Sequence, residues 1–242
     1  MSIYDNVRIV SEIPSANDVI LIAGFPGSGL VGSIAVQFLI DKLAFRHIGD
    51  IAAPDLPTGS LAEMGLARAP IRLYEKDNIV AITSDVPIPE VSSYFIAAEV
   101  IEWLSDKCRI SEIVVIGGVV TGGEGERVFG VANTEEGLEK IKQTCQILPA
   151  MNIAGITGEF LTEAVLKKIP ACGFLIETNY DIDSRASAAG LDVISQMYEL
   201  ALDTTPLVEQ ADSVEPMLKQ LSDGVKKSEQ RETSFEEDLM YG

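Results

Sequence analysis

The residues whose spacing most suggests chemistry are Gly27, Ser28, Gly29 and Gly32, in the run Gly27-Ser28-Gly29-Leu30-Val31-Gly32. This is the GxGxxG pattern of dinucleotide sites. Its glycines let the backbone turn tightly and approach a pyrophosphate, which then rests on the N-terminus of the following helix. The run follows an apolar stretch of strand character and leads into a helical one. Asp50 lies 18 residues beyond Gly32, where such a site wants an acid for the ribose hydroxyl. Two features weigh against it. The stretch Phe45-Arg46-His47-Ile48-Gly49-Asp50 makes a poor buried second strand, and Pro26 stiffens the turn. The same glycines also suit a tight strand-to-helix turn with close packing of helix on sheet. A Walker A phosphate loop is excluded, because Leu30 and Val31 stand in place of its Lys and Ser/Thr.

Other catalytic groupings are sparse. His47 is the single histidine, so every Cys-His or Ser-His arrangement would have to use it. Beside Arg46 it reads as a solvated surface side chain. Asp85, Glu90, Glu177, Asp181 and Asp183 could form carboxylate pairs for acid–base work, although so acidic a chain produces such pairs by chance. Glu124 and Glu126, in Gly122-Gly123-Glu124-Gly125-Glu126-Arg127, read as a mobile loop at a strand end. Cys108, Cys145 and Cys172 are far apart and show no CxxC spacing, so neither a disulfide framework nor a structural zinc is expected, and a reducing cytoplasm is the expected setting. No metal and no cofactor is expected.

The elements that must carry these residues alternate. Short apolar, β-rich runs fall at residues 19–23, 71–73, 79–83, 113–120, 153–157 and 171–177. Several are apolar on both faces, as in the inner strands of a mainly parallel sheet. Helical patterns fall at residues 28–43, 91–107, 134–147, 160–169 and 184–203. Thr134 is placed to cap the third, and Glu135 and Glu136 suit its positive N-terminus. Such alternation predicts an α/β layered domain, a three-layer sandwich around a mainly parallel or mixed sheet, over residues 1–205.

Composition narrows the partners. Of 242 residues 47% are hydrophobic, enough for a sizeable core. There are 18 basic and 37 acidic residues, a net charge of −19. A surface this acidic repels phosphate backbones and anionic lipid, so no nucleic-acid and no membrane partner is expected. The opening MSIYDNVRIV has no basic start followed by an apolar run, which speaks against a signal peptide. Residues 19–40 are uncharged and long enough to span a bilayer, but Gly24, Pro26, Gly27, Gly29 and Gly32 break the run into strand, turn and buried helix.

Residues 206–242 differ from the rest. They hold nine acidic and four basic residues, with a short amphipathic stretch at 206–221 interrupted by Pro216. The polar run from Asp223 onward is expected to be a flexible tail. It does not end polar, however: the last residues are Leu239-Met240-Tyr241-Gly242.

Several segments together resemble one family. The run from Asn17 to Gly32 is similar to the opening of the proteasome assembly chaperone family in its archaeal branch. So, in order, are Asp55-Leu56-Pro57, Ile116-Gly117-Gly118-Val119-Val120-Thr121-Gly122-Gly123, Gly158-Glu159-Phe160-Leu161, Ile169-Pro170-Ala171 and Glu177 through Ala189. The resemblance covers about residues 17 to 200. It implies a phosphorylase-like α/β sandwich, homo-oligomers and no established catalytic residues. It also gives the tail a meaning. Met240, Tyr241 and Gly242 match a C-terminal hydrophobic–tyrosine–any-residue motif that docks between α-ring subunits of the proteasome core particle. The resemblance thus implies a non-enzymatic assembly chaperone or ATP-independent activator. The chemistry suits docking: a terminal carboxylate for a pocket lysine, a phenol ring as anchor, and an adaptable methionine. About 20 residues of extended tail would reach ~60 Å. One such tail binds weakly, and several on one oligomer bind through effective concentration. A nucleotide- or dinucleotide-binding enzyme built on the Gly27–Gly32 turn is the alternative.

Overall fold

The structure, a computed structural model, describes residues 7–57, 59–63, 65–123, 125 and 127–213. In chain order the elements are β1 (Arg8–Ser11), β2 (Asp18–Gly24), a 3-10 turn (Ser28–Leu30), α1 (Val31–Lys42), β3 (Arg46–Ala52), β4 (Leu61–Glu63), β5 (Leu66–Arg68), β6 (Ile71–Lys76), β7 (Ile79–Ser84), α2 (Glu90–Ser105), β8 (Arg109–Val119), β9 (Val128–Ala132), α3 (Glu135–Ile141), β10 (Gln146–Ile147), α4 (Gly155–Lys167), β11 (Ala171–Glu177) and α5 (Ser184–Met197). Residues 205–213 are helical as well.

Nine strands form one mixed sheet in the order β1-β3-β6-β7-β2-β8-β11-β9-β10, and β4 and β5 form a separate hairpin. The four central strands β7, β2, β8 and β11 are parallel; β6 runs antiparallel to β7 and β3, β1 antiparallel to β3, and β9 antiparallel to β11 but parallel to edge strand β10. Alternating side chains of each central strand reach opposite faces. From β2, Val19, Leu21 and Ala23 join Ile96, Val100 and Ile101 of α2 and Phe160 and Ala164 of α4 in one core. Ile22 joins Val31, Ala35, Val36 and Leu39 of α1 and Leu191 and Ile194 of α5 in the other. The result is a helix–sheet–helix sandwich of three layers, as the alternation predicts.

Local chemistry explains the helices. In α1 the buried residues Val31, Ala35, Val36, Leu39 and Ile40 recur every three to four positions, which lays one stripe on the sheet. Lys42 lies in its last turn, and Ala44 at φ +53° ends it in the left-handed conformation. Thr134 caps α3 as expected, its hydroxyl accepting the Gly137 N–H at 3.0 Å. Asp183 caps α5 by accepting from Ala186 N at 2.8 Å.

The structure corrects several boundaries. Residues 153–157 do not form a strand: Ala154 is the extended N-cap of α4, and Gly155, at φ +67°, Ile156 and Thr157 make its first turn. The predicted helix 134–147 ends at Ile141, where the chain turns into edge strand β10. The predicted helix 184–203 ends at Met197. Residues 46–50 of the polar stretch do lie in a strand, β3, where Arg46 pairs with Glu12 and with Glu75 of β6. His47 is not freely solvated: its side chain is 17% exposed, packs edge-on against Tyr74 and lies 3.4 Å from Asp50. Among the described residues, no helix is long and apolar enough to cross a membrane.

Candidate functional site

The glycine run forms the turn from β2 into α1, at the carboxyl edge of the parallel strands. Its glycines serve close packing. A Cβ on Gly32 would lie 2.5 Å from the Ile116 carbonyl oxygen of β8, and one on Gly24 would lie 2.3 Å from the Gly32 oxygen. A Cβ on Gly118 would lie 2.0 Å from the Ser28 oxygen. Gly29, at φ +64°, turns against the Thr178 side chain, where a Cβ would meet Oγ1 at 2.5 Å, and its carbonyl accepts the Asp183 N–H at 2.8 Å. The end of β2, the turn into α1, and β8 thus meet backbone against backbone, with the Thr178 side chain filling the space beside Gly29. Gly27 differs, with open space where a Cβ would be.

The neighbourhood of Asp50 also departs from a dinucleotide site. There the strand bearing the acid lies beside the first strand. Here β3 is separated from β2 by β6 and β7, and an Asp50 carboxylate oxygen accepts the Ala69 N–H at 3.0 Å.

The chain leaves β2 towards β3 on one side and leaves β8 towards β9 and β11 on the other, so the strand order switches between β2 and β8. Open α/β sheets bind ligands at such switch points. A cavity of about 290 Å³ lies there, walled by Phe25, Gly27, Ser28, Gly118, Ile153 and Leu175. None of the described residues lining it has an acidic or basic side chain, so proton transfer has no agent among them.

The carboxylates singled out in the sequence are not gathered into one site; three of them hold the fold. Asp85 pairs with Arg72, whose side chain is 1% exposed, and Arg72 Nε donates to the Tyr74 hydroxyl at 2.7 Å. Asp183 caps α5 and accepts from Thr178 Oγ1 at 2.7 Å. Glu177, fully buried at the end of β11, accepts from Arg127 Nε at 2.9 Å, Arg127 Nη2 at 2.6 Å and Gly125 N at 3.0 Å. Arg127 holds the Glu177 carboxyl below the usual glutamate range, more strongly than burial opposes it. Glu90 starts α2, and Asp181 is exposed in the turn after β11. Glu124 and Glu126 lie outside the described residues.

The cysteines are free thiols. Burial, reinforced by Glu112, pushes the Cys172 thiol up to about 12, which makes it a poor nucleophile. No group of three or more metal-ligating side chains occurs among the described residues.

Met240, Tyr241 and Gly242 lie outside the described residues. The segment leading towards them is placed. Leu207 is buried against the α1–α5 face, and Asp212 pairs with Arg185 in the first turn of α5. The described chain therefore ends beside the carboxyl edge of the sheet. Arg72, Arg127 and Thr178, which hold this edge together, escape sequence reasoning. A buried arginine inside IRLYEK gives no signal of its own, and its partner Asp85 is 13 residues away.

The fold and its packed edge define a class: three-layer α/β proteins with a mixed sheet and a glycine-locked switch point. The chain belongs to the PAC2 family, whose model matches residues 21–222. An uncharacterized protein of Methanocaldococcus jannaschii is 30% identical over 224 residues, covering 92% of this chain and 91% of that protein. The crystal structure of Pyrococcus furiosus PbaA, described as an archaeal homolog of proteasome-assembly chaperone, superimposes with a TM-score of 0.80 at 28% identity, covering 93% of this chain and all of that one. Pyrococcus furiosus PbaB, described as an archaeal proteasome activator, shares the fold with a TM-score of 0.78 at 23% identity, over 89% of this chain and 98% of that one.

Proposed function

We propose that this chain is a non-enzymatic proteasome-binding protein that acts as a homo-oligomer in the cytoplasm. Its C-terminal Met240, Tyr241 and Gly242 dock in pockets of the core particle's α-ring, and it works as an assembly chaperone or an ATP-independent activator. The observation that carries the reading is the likeness to PbaA along nearly the whole of both chains. The sequence at the end supplies the docking chemistry, provided that Gly242 bears a free carboxylate.

Two features of the structure support it. The switch-point cavity is lined by uncharged described residues, and Gly29 and Gly32 of the turn are spent on packing, which leaves Gly27 alone open. The chain after Ser213 starts beside the carboxyl edge and has 29 more residues, which reach at most roughly 95 Å when extended. That suffices to carry a terminal tripeptide well away from the body. Several tails on one oligomer would raise the effective concentration for the second and later contacts.

The test is a pull-down of purified core particle with the full chain and with a chain ending at Leu239, paired with hydrolysis of a fluorogenic peptide. Binding that disappears with the last three residues is expected. Faster hydrolysis by the full chain identifies an activator, and an unchanged rate identifies an assembly role. Equal binding by both chains overturns the tail mechanism, and binding by neither overturns the proteasome reading.

A further inference from the structure

Helix α2 is apolar on two sides. Its core side carries Ile96, Val100, Ile101 and Leu104, all buried. A second row, Val91, Phe95, Ala98 and Glu102, recurs at intervals of four, three and four residues along the opposite side. Apolar side chains at that spacing make a seam for another helix. Val91 is 60% exposed, and Phe95 and Ala98 are half-buried. The neighbouring α4 carries Val165 and Leu166 in its last turn, 56% and 67% exposed. Helices α2 and α4 pack side by side, and the Glu102–Lys167 ion pair shows that their C-terminal ends are level. Their outer faces therefore join into one surface. The other helical layer differs, because its exposed positions include Asp41 and Lys42 on α1 and Asp192 and Gln196 on α5. A helix that is apolar all round is normally buried all round, and large apolar side chains grouped on a folded surface mark an interaction site.

Charge and size define the occupant. The exposed charges of α2 are Glu90, Glu99 and Glu102, with no basic residue among them. Helix α4 closes with Lys167 and Lys168, both exposed. The face is thus complementary to itself. A two-fold axis along the seam between α2 and α4 lays α2 of one copy over α4 of the other, with the helix ends level. Glu102 of each copy then faces Lys167 and Lys168 of the other, and both copies use the same patch. Helices of 16 and 13 residues are about 24 and 20 Å long and about 10 Å wide. A face of that length and breadth, with its side-chain relief, approaches the about 800 Å² that each partner gives to a standard interface.

We infer that the outer faces of α2 and α4 form a two-fold interface with a second copy of this chain, α2 of each copy lying across α4 of the other. The inference rests on the homo-oligomer part of the proposed function and names its surface.

Sedimentation velocity of the full chain over a dilution series reads the association state. A dimer, or an assembly built from dimers, is expected. Leu166→Glu and Val91→Glu should each raise the dissociation constant about tenfold or more. Val10→Glu, at an exposed apolar side chain of β1, should leave it unchanged. Circular dichroism confirms that each variant is folded, and if Leu166→Glu is not, Val91→Glu decides. Charge reversal tests the arrangement. Glu102→Lys and Lys167→Glu each set like charges against like across the axis, so each alone should associate weakly. An equal mixture of the two sets unlike charges together and should associate again. The inference is overturned if the folded Leu166→Glu and Val91→Glu variants assemble like the parent, if Val10→Glu disrupts assembly as much, or if the charge-reversal mixture stays dissociated. An odd-numbered ring also overturns it. A monomeric full chain overturns it together with the homo-oligomer reading, whether the face is bare or covered by the chain's own tail. Assembly that survives Leu166→Glu and Val91→Glu overturns this surface alone, and the core-particle pull-down reads the proteasome part separately.

Discussion

Gly32 and Gly27 belong to one sequence motif and have opposite fates. A methyl group on Gly32 meets the Ile116 carbonyl and both the nitrogen and the oxygen of Phe25, all backbone atoms that cannot swing aside. Gly32→Ala should therefore cost about 3 kcal/mol or more, at the damaging end of single substitutions. Gly27, extended at φ −162° with nothing nearby, should tolerate Ala within about 0.5 kcal/mol. Urea unfolding of the two variants checks the contrast, and equal costs would contradict the packing account. The motif is legible in the sequence, but the partner of each glycine is not, since Ile116 lies 84 residues from Gly32 and Thr178 lies 149 residues from Gly29.

The buried Glu177 carboxylate makes a second prediction. Its folded pKa lies below the unfolded value because of Arg127, so its stabilising effect is full above the unfolded pKa of about 4.3. It is lost as pH falls through that value towards the folded one. Melting temperatures between pH 7 and 3 should fall with acid. The fall should be shallower in Arg127→Ala, which is less stable at pH 7 and has less to lose. Parallel curves for the two proteins would contradict the pairing.

Elements were read best where periodicity was long and burial complete. The inner strands β2, β7, β8 and β11 were visible because both faces are apolar, and α1, α2 and α5 because their stripes repeat over three turns or more. The edge strands β1, β9 and β10 were missed for the opposite reason: they are short or half-exposed, and their identity comes from pairing. Residues 153–157 read as a strand because Ile153-Ala154-Gly155-Ile156-Thr157 is a short, partly β-branched apolar run, which fits a strand and a buried helix start equally well. Caps were readable, and Thr134 shows it. Thr134→Ala removes the hydroxyl that accepts Gly137 N–H and should cost about 1 kcal/mol, seen as a lower urea midpoint with an unchanged slope.

For the whole molecule, the proposed docking role predicts that the last three residues can be removed without cost to the sandwich. Ending the chain at Leu239 removes three of 242 residues, none of them among the described core. The melting temperature should stay within about 2 °C, less than the shift from 1 kcal/mol in a domain of this size. A larger drop would mean that the end of the chain stabilises the body. Leu207→Ala acts on the body instead. The side chain is 3% exposed and joins the α1–α5 core, so its loss should cost about 2–4 kcal/mol.

The placing of β2 between β7 and β8 also bears on synthesis at the ribosome. Strand β2 is made well before its partner β8, whose register runs from Arg109 to Ile116, opposite Asp18 to Gly24. During translation at roughly 5–20 residues per second, β2 would wait roughly 5–20 s for that neighbour. Until β7 is made both edges of this apolar strand are open, one edge stays open until β8 follows, and the glycine lock at Ile116 cannot form before then. The nascent chain is thus exposed to aggregation for longest at the strand on which its switch point depends.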